Sequence, residues 1–234
     1  MLRYIDSKKM GRGKHTWLDS IHHFSFAMYF NPDNMQFGVL RVVNDDLVKP
    51  GAGFDIHPHQ DMEIISYVVN GELTHADSMD NKRVVARGDA QYMSAGTGVY
   101  HSEHNFGAEI LRFLQIWILP DRECREPSYG DHHFKWEERV NKWLAIASGN
   151  KNSPAPIKIH ADVNVFVSEI TKGEELEFKV NKGRQAYLVL IEGSAQVGPH
   201  KLNAKDALEI AQEDILIRAQ DDKAHVIIFE MKKS

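Results

Sequence analysis

Two short segments, GAGFDIHPHQDME (residues 51–63) and YHSEHN (residues 100–105), set imidazoles and a carboxylate at alternate positions. Side chains two apart on a β-strand point to the same face. His57 and His59 would therefore aim at one point, with Pro58 turned away. Pro58 has no N–H to donate, so its strand must be an edge or an irregular one. His101 and Glu103 repeat the arrangement, while Ser102 and His104 face the other way. If the two strands are neighbours, three imidazoles and one carboxylate converge. A single His-x-His pair is as readily ordinary surface alternation. A second ligand-type pair 44 positions on shifts the balance toward a shared cation. Three nitrogens and one oxygen suit a borderline divalent ion: iron(II), nickel, copper, manganese or zinc. A six-coordinate ion would keep two positions for water, substrate or dioxygen, whereas a tetrahedral zinc would be closed by the four protein ligands.

The elements that must carry these side chains read as strands. Of 234 residues, 42% are hydrophobic and 26% charged, enough apolar material for a buried core. Short β-type runs alternate with Gly, Asn and Asp punctuation. In the first half they cover residues 37–43, 63–69, 73–77, 83–86 and 110–119. In the second half they cover 163–170, 176–180, 185–192, 215–218 and 226–229. Asn70-Gly71, between EIISYVV and ELTHAD, suits a type I′ hairpin turn. The one helical pattern is Trp136 to Leu144, with Trp136, Val140, Trp143 and Leu144 on one face. Turns at such close intervals argue for an all-β sandwich or barrel. The stretch from Pro120 to Pro156, with SGNKNSPAP, is rich in charge, Gly and Pro and reads as a linker. VVNGELTH and VLIEGSAQV are loosely alike, in keeping with two similar β domains. The expected organisation is an N-terminal domain over 1–125, a connection over 126–156 and a C-terminal domain over 157–234.

Composition removes several function classes. The single cysteine, Cys124, excludes an intrachain disulfide framework and a cysteine-based zinc site. Unbroken apolar runs reach about six residues, far short of the roughly 20 that span a bilayer. MLRYIDSKKMGRGK lacks the apolar stretch of a secretory signal, so a cytoplasmic location is expected. The net charge is −5, and neither half is basic, so no direct grip on nucleic acid is expected.

The ligand segments resemble the cupin superfamily. Gly51, five residues, His57-x-His59, three residues and Glu63 follow its first motif, although Gly71 stands one position late. The second motif is looser: Ser94 replaces the usual proline, and His101 is two positions late after Gly96. These departures resemble one branch, the pirin family. WLDSIHHFSFAMYFNP, LRVVNDD, HPHQDMEIISYVVNGELTHADSMDN, MSAGTGVYHSEHN and LQIWILP all look like its segments, especially those of bacterial pirin-like quercetin 2,3-dioxygenases.

That resemblance implies an all-β bicupin: two β-barrels of double-stranded β-helix, jelly-roll-like form, with few short helices. It implies one divalent transition metal in the leading barrel, on His57, His59, His101 and Glu103. Iron(II) is the expected ion; nickel, copper, manganese, cobalt and zinc fit the same ligands. Glu63 would stand behind the ligands in support. His160, His200 and His225 are too dispersed for a second site, so the C-terminal barrel is expected to hold no metal.

The implied activity is metal-dependent cleavage of flavonols such as quercetin with O2 and release of CO. Glu103 is the catalytic candidate, taking the proton of the flavonol 3-hydroxyl as it loosens from the ion. Inward residues of FSFAMYF and FLQIWIL would wall the pocket, with Gln115 as a polar donor in it. The alternative is a non-enzymatic, redox-sensing regulatory protein that binds a protein partner. A different cupin reaction is a third reading. A monomer without membrane contact is expected.

Overall fold

The computed structural model describes residues 1–233; Ser234, the last residue of the expected C-terminal domain, lies outside it. After β1 (Leu2–Ile5) come β2 (Gly11–Lys14), β3 (Leu18–His22), β4 (Leu40–Val48), β5 (Ala52–His59) and β6 (Glu63–Asn70). β7 (Glu72–Asp77), β8 (Lys82–Ala86), β9 (Ala90–Ser94), β10 (Val99–Asn105), β11 (Leu111–Ile118) and β12 (Ser128–His132) follow. The remaining strands are β13 (Leu144–Ser148), β14 (Ile157–Lys158), β15 (Val163–Thr171), β16 (Glu175–Phe178), β17 (Arg184–Val197), β18 (His200–Asn203), β19 (Ala207–Ala211) and β20 (Ile215–Lys232).

The chain divides into two compact units. One comprises Met10–Phe134 with Ile159–Ala161. The other comprises Met1–Lys9, Lys135–Lys158 and the chain from Asp162 onward. Both are all-β, as a bicupin requires; their strands pair antiparallel except for the parallel pairing of β13 with β14, and their sheets are not closed barrels. The first unit has a seven-stranded sheet, β12-β9-β6-β11-β4-β3-β2, and a four-stranded sheet, β5-β10-β7-β8. The second has a nine-stranded sheet whose main path runs β1-β19-β17-β20-β15-β13-β14. Its core gathers Leu188, Leu190, Ile210, Ile217, Val226 and Ile228.

The units differ from the segmentation read in the sequence. The N-terminal strand β1 pairs with β19 and so belongs to the second unit. The expected connection over 126–156 carries β12, an edge strand of the first unit, and β13, a strand of the second. Its Gly and Pro content marks turns between short strands rather than a free linker. The helical pattern at Trp136–Leu144 yields only a 3-10 turn, Trp136–Arg139, before β13 begins at Leu144. The four residues of that turn are too few to bury an amphipathic face, and pairing with β15 takes Leu144 instead.

Asn70-Gly71 is not a hairpin turn. β6 and β7 lie in different sheets, and of the pair only Gly71 has a positive φ, +77°. The chain passes there from one sheet to the other. A Cβ on Gly71 would come within 3.0 Å of the Ile110 carbonyl oxygen and the Leu111 Cα, so the crossing also needs the missing side chain.

The register of the seven-stranded sheet stacks its inward side chains in rows. An apolar plug of Leu18, Val48, Val68, Leu73, Leu111 and Phe113 packs together between the sheets. One row along from it, His22, Asn44, Gln115, Ser66 and Gln91 stand directly opposite one another across β3, β4, β11, β6 and β9. Beyond them, Trp117 faces Ile64, which faces Met93. Five strands thus each place a polar residue at the same height, and on β3 and β4 Ser20 and Asp46 add a second polar pair on that face.

The facing sheet is held close by Gly53 on edge strand β5. A Cβ there would meet the Glu103 carbonyl oxygen at 2.4 Å and the His104 Cα at 2.6 Å, both backbone atoms of β10. Gly53→Ala must therefore push β5 off β10. The expected cost is about 1–3 kcal/mol, measured by urea denaturation, together with weaker metal retention, because β5 carries His57 and His59. An unchanged denaturation midpoint would show that β5 is not set by this contact.

Candidate metal centre and its cavity

Antiparallel pairing of β5 with β10 places His57 directly opposite His101, and His59 opposite Val99. His59 therefore stands one pleat along from the facing pair, on the same side. The three ring centroids form a near-equilateral triangle, 4.5 Å for His57–His101 and 4.8 Å for each of the other two. Each ring offers a nitrogen within 4.8 Å of the others. Past His101 the register slips, so that Glu103 faces Phe54. On the other side of β10, Glu103 faces His75 and His101 faces Asp77. Glu103, His101 and His75 form a second group with donor atoms at the same range, and His101 is shared between the two.

The two ends of this row differ in their surroundings. Both His101 nitrogens are buried and have no hydrogen-bond partner in the protein. An imidazole so placed leaves a donor and an acceptor unmet, which is costly unless a further ligand takes one of them. A divalent cation does so directly, and the donor set fits one. His57 is oriented by its Nδ1, 2.7 Å from the Asp55 carbonyl oxygen. The ring of Trp117 stands edge-on to His59, centroids 4.9 Å apart.

Burial pushes the His59 imidazole down to about 4, and the neighbouring His101 and His57 add to the effect. Burial likewise takes His101 to about 4, although the carboxylate of Glu103 pulls the other way. Both rings are therefore neutral, the form that binds metal, throughout the physiological range.

Glu103 is fully enclosed. Its Oε1 accepts hydrogen bonds from Ser66 Oγ at 2.6 Å and Gln91 Nε2 at 2.9 Å, and its Oε2 accepts one from Gln115 Nε2 at 2.6 Å. Burial alone would raise the carboxyl, but His101, His75 and the bonds from Ser66 and Gln115 outweigh it and hold Glu103 below the usual range. Behind it, buried His75 bonds Asp77 Oδ2 through Nε2 at 2.9 Å and stacks on Tyr129 at 4.4 Å. The Tyr129 hydroxyl donates to Gln91 Oε1 at 3.1 Å. Burial raises the Tyr129 phenol, so it remains a donor.

A cavity of about 390 Å³ opens onto His57, His59 and Glu103. Small-molecule sites span roughly 300–1,000 Å³. Trp17, Phe26, Phe54 and Trp117 supply aromatic walls, while Ser20, His22, Asn44, Asp46 and Gln115 line it with polar groups. Of the expected wall segments, FSFAMYF contributes Phe26 and Ala27, whereas Phe24 is buried in the core and Met28 and Phe30 are exposed. FLQIWIL contributes Gln115 and Trp117. Asp46 bonds Ser20 Oγ, yet burial drives its carboxyl up to about 7, with Asp45 and Glu103 adding to the rise.

His57, His59 and His101 come together as their spacing indicated, and Glu103 lies beside His101. Glu63 does not stand behind them: its carboxylate accepts from Ser94 Oγ at 2.6 Å and from the backbone N–H of His160 at 3.0 Å. It thus fixes residues 159–161 to the first unit, and His160 with them. Sequence spacing does not point to Asp77, Gln91, Asn44 and Asp46 as site residues, and it leaves His75 as either a surface imidazole or one supporting the ligands; buried His75 stands opposite Glu103. The signal for them was a polar side chain at an inward position of an apolar strand, visible in VVNDD, AQYMS and ELTHAD.

Two pH dependences follow. His59 and His101 have depressed folded values, so their contribution to stability is full above about 6.5 and is lost as pH falls toward 4. Metal content after dialysis should accordingly stay high down to about pH 5 and collapse near 4. Loss already complete at pH 6 would contradict neutral imidazoles at His59 and His101. Asp46 has the opposite sign: raised to about 7, it favours the fold most below about 4 and loses that contribution as pH rises through 7. Asp46→Asn should therefore gain in thermal midpoint relative to the parent between pH 5 and pH 8, a gain that differential scanning calorimetry would reveal or refute.

Comparison with known proteins agrees with this arrangement. Residues 5–118 match the family model described as Pirin, and residues 145–231 match that of the quercetinase C-terminal cupin domain. A pirin-like protein of Caulobacter vibrioides is 41% identical over 228 residues, covering 96% of this chain and 98% of the relative. The quercetin 2,3-dioxygenase of Escherichia coli is 35% identical over 232 residues, 99% of each chain. The crystal structure of the bacterial pirin YhhW from Escherichia coli, in complex with nickel(II), aligns with a TM-score of 0.93 at 35% identity over 100% of both chains. Two cupin domains, the pirin match across the unit that carries the imidazoles, and relatives alike along their whole length make this chain a member of the pirin family of the cupin superfamily.

Proposed function

We propose that the chain is a metal-dependent dioxygenase that opens the central ring of flavonols such as quercetin with O2. In the net reaction both oxygen atoms enter products and one ring carbon leaves as carbon monoxide. The observation that carries the reading is the trio His57, His59 and His101 beside an aromatic-walled cavity, with an ionised Glu103 next to it. The relative from Escherichia coli named for this reaction supports it.

His57, His59, His101 and Glu103 would hold the ion; iron(II) is our assignment, and nickel, copper, manganese, cobalt and zinc suit the same donors. Once bound, a divalent ion supplies Lewis acidity toward the flavonol 3-hydroxyl and a centre for dioxygen chemistry. The protein's own part begins with Glu103, which takes the proton of that hydroxyl. Its Oε1 already serves two donors, Ser66 and Gln91, whereas Oε2 serves Gln115 alone. Oε2 is therefore the oxygen that receives the proton. Trp17, Phe26, Phe54 and Trp117 clasp a flat aromatic substrate and keep water from the developing anion.

Protein loaded with iron, nickel or copper should consume O2 with quercetin in an oxygen electrode. Glu103→Gln should keep its metal and lose roughly a hundredfold or more in turnover. Turnover equal to the parent would remove the base role from Glu103. No O2 uptake with any flavonol, combined with a change in protein-partner affinity between ferrous and ferric forms, would favour a regulatory protein instead.

A further inference from the structure

The polar wall of the cavity contains a row of buried amide and imidazole side chains. His22, Asn44 and Gln115 stand in one row across β3, β4 and β11, each at least nine-tenths buried, at 4%, 2% and 8% exposure. All three line the cavity. Asn44 Oδ1, Gln115 Oε1 and His22 Nδ1 have no hydrogen-bond partner in the protein. The orientation of Gln115 is fixed, because its Nε2 must face the acceptor-only carboxylate of Glu103, which leaves Oε1 as the free end. Directly opposed side chains on neighbouring antiparallel strands have Cβ atoms roughly 5 Å apart. Asn44 and Gln115 are therefore neighbouring side chains at the same height, each with a buried carbonyl oxygen that has no partner in the protein. Buried carbonyl groups left unmet are costly, and an apolar ligand would leave them so.

We propose that Asn44 and Gln115 form an acceptor pair that selects aromatic ligands carrying hydroxyl groups beyond the one presented to the metal. Gln115 links the pair to Glu103, so the selecting hydroxyls lie on the edge of the ligand nearest the metal centre. The aromatic residues of the other walls take the ring faces, and the row His22–Asn44–Gln115 takes the polar edge. Asn44 and Gln115 are specificity residues in this scheme. The inference rests on the reading of the cavity as a substrate pocket but does not need the cavity to support turnover.

The test is anaerobic binding to the metal-loaded protein, followed by quenching of tryptophan fluorescence, since Trp17 and Trp117 line the cavity. The probes are quercetin and 3-hydroxyflavone, which offers the same metal-directed hydroxyl and no other. The parent should bind quercetin roughly tenfold or more tighter. Asn44→Leu, close in size, should reduce that preference about tenfold, mostly through quercetin. Equal binding of the two probes by the parent would overturn the proposal without any variant, as would an Asn44→Leu protein, folded by its thermal midpoint, that keeps the full preference. A preference in binding without O2 uptake would leave the acceptor pair standing and remove the dioxygenase reading. O2 uptake without a preference would do the reverse.

Discussion

The register between β5 and β10 is the constraint on which the rest depends. Opposing His57 to His101 and letting His59 follow one pleat along is enough to bring three imidazoles together. No long side chain has to reach and no loop has to fold over. The slip after His101 then separates Glu103 from His59 and turns it toward His75. Four donor residues thus gather on one strand pair, with His101 shared between the imidazole triangle and Glu103. Gly53 permits this closeness, because any side chain there would strike the backbone of β10. Edge position matters as well: Pro58 removes a donor from β5, which a central strand would have needed.

The opposite sheet answers with a polar row. A buried carboxylate is costly unless its oxygens are bonded, and Glu103 is surrounded by donors from three different strands: Ser66 on β6, Gln91 on β9 and Gln115 on β11. Those three are cross-strand neighbours, so one register supplies the whole cradle. The same row continues through Asn44 and His22 into the cavity. Support for the carboxylate and the polar lining of the cavity are therefore two ends of a single row of side chains, joined at Gln115.

Much of this was legible in the sequence. The i, i+2 spacing of His57/His59 and His101/Glu103 depends only on the two-residue period of a strand, and the faces assigned to Pro58, Ser102 and His104 follow from it. Strand positions were also readable, from alternation bounded by Gly, Asn and Asp. Pairing was not. Asn70-Gly71 has the local chemistry of a hairpin, but the hydrophobic faces of β6 and β7 are buried in different sheets, and tertiary burial outweighs turn preference. The helical pattern at Trp136–Leu144 failed for the same reason, since β15 offers Leu144 a better partner than a short helix would. Glu63 shared a face with His59 by counting alone; the turn at residues 60–62 breaks that count and sends Glu63 into another sheet. His75 and Asp77 repeat the ligand-type spacing, but only the pairing of β7 with β10 makes them neighbours of Glu103.

The placement of β1 has a consequence for how the molecule is made. Its partner, β19, lies some two hundred residues later in the chain. At roughly 5–20 residues per second, a ribosome delivers that partner tens of seconds after β1 has emerged. The first strand must therefore wait, solvated and unpaired, while the unit holding the imidazoles can already assemble from the residues between. Until β19 is made, the edge of β1 that it pairs with is open, a period in which a chaperone that shields such edges would be most useful.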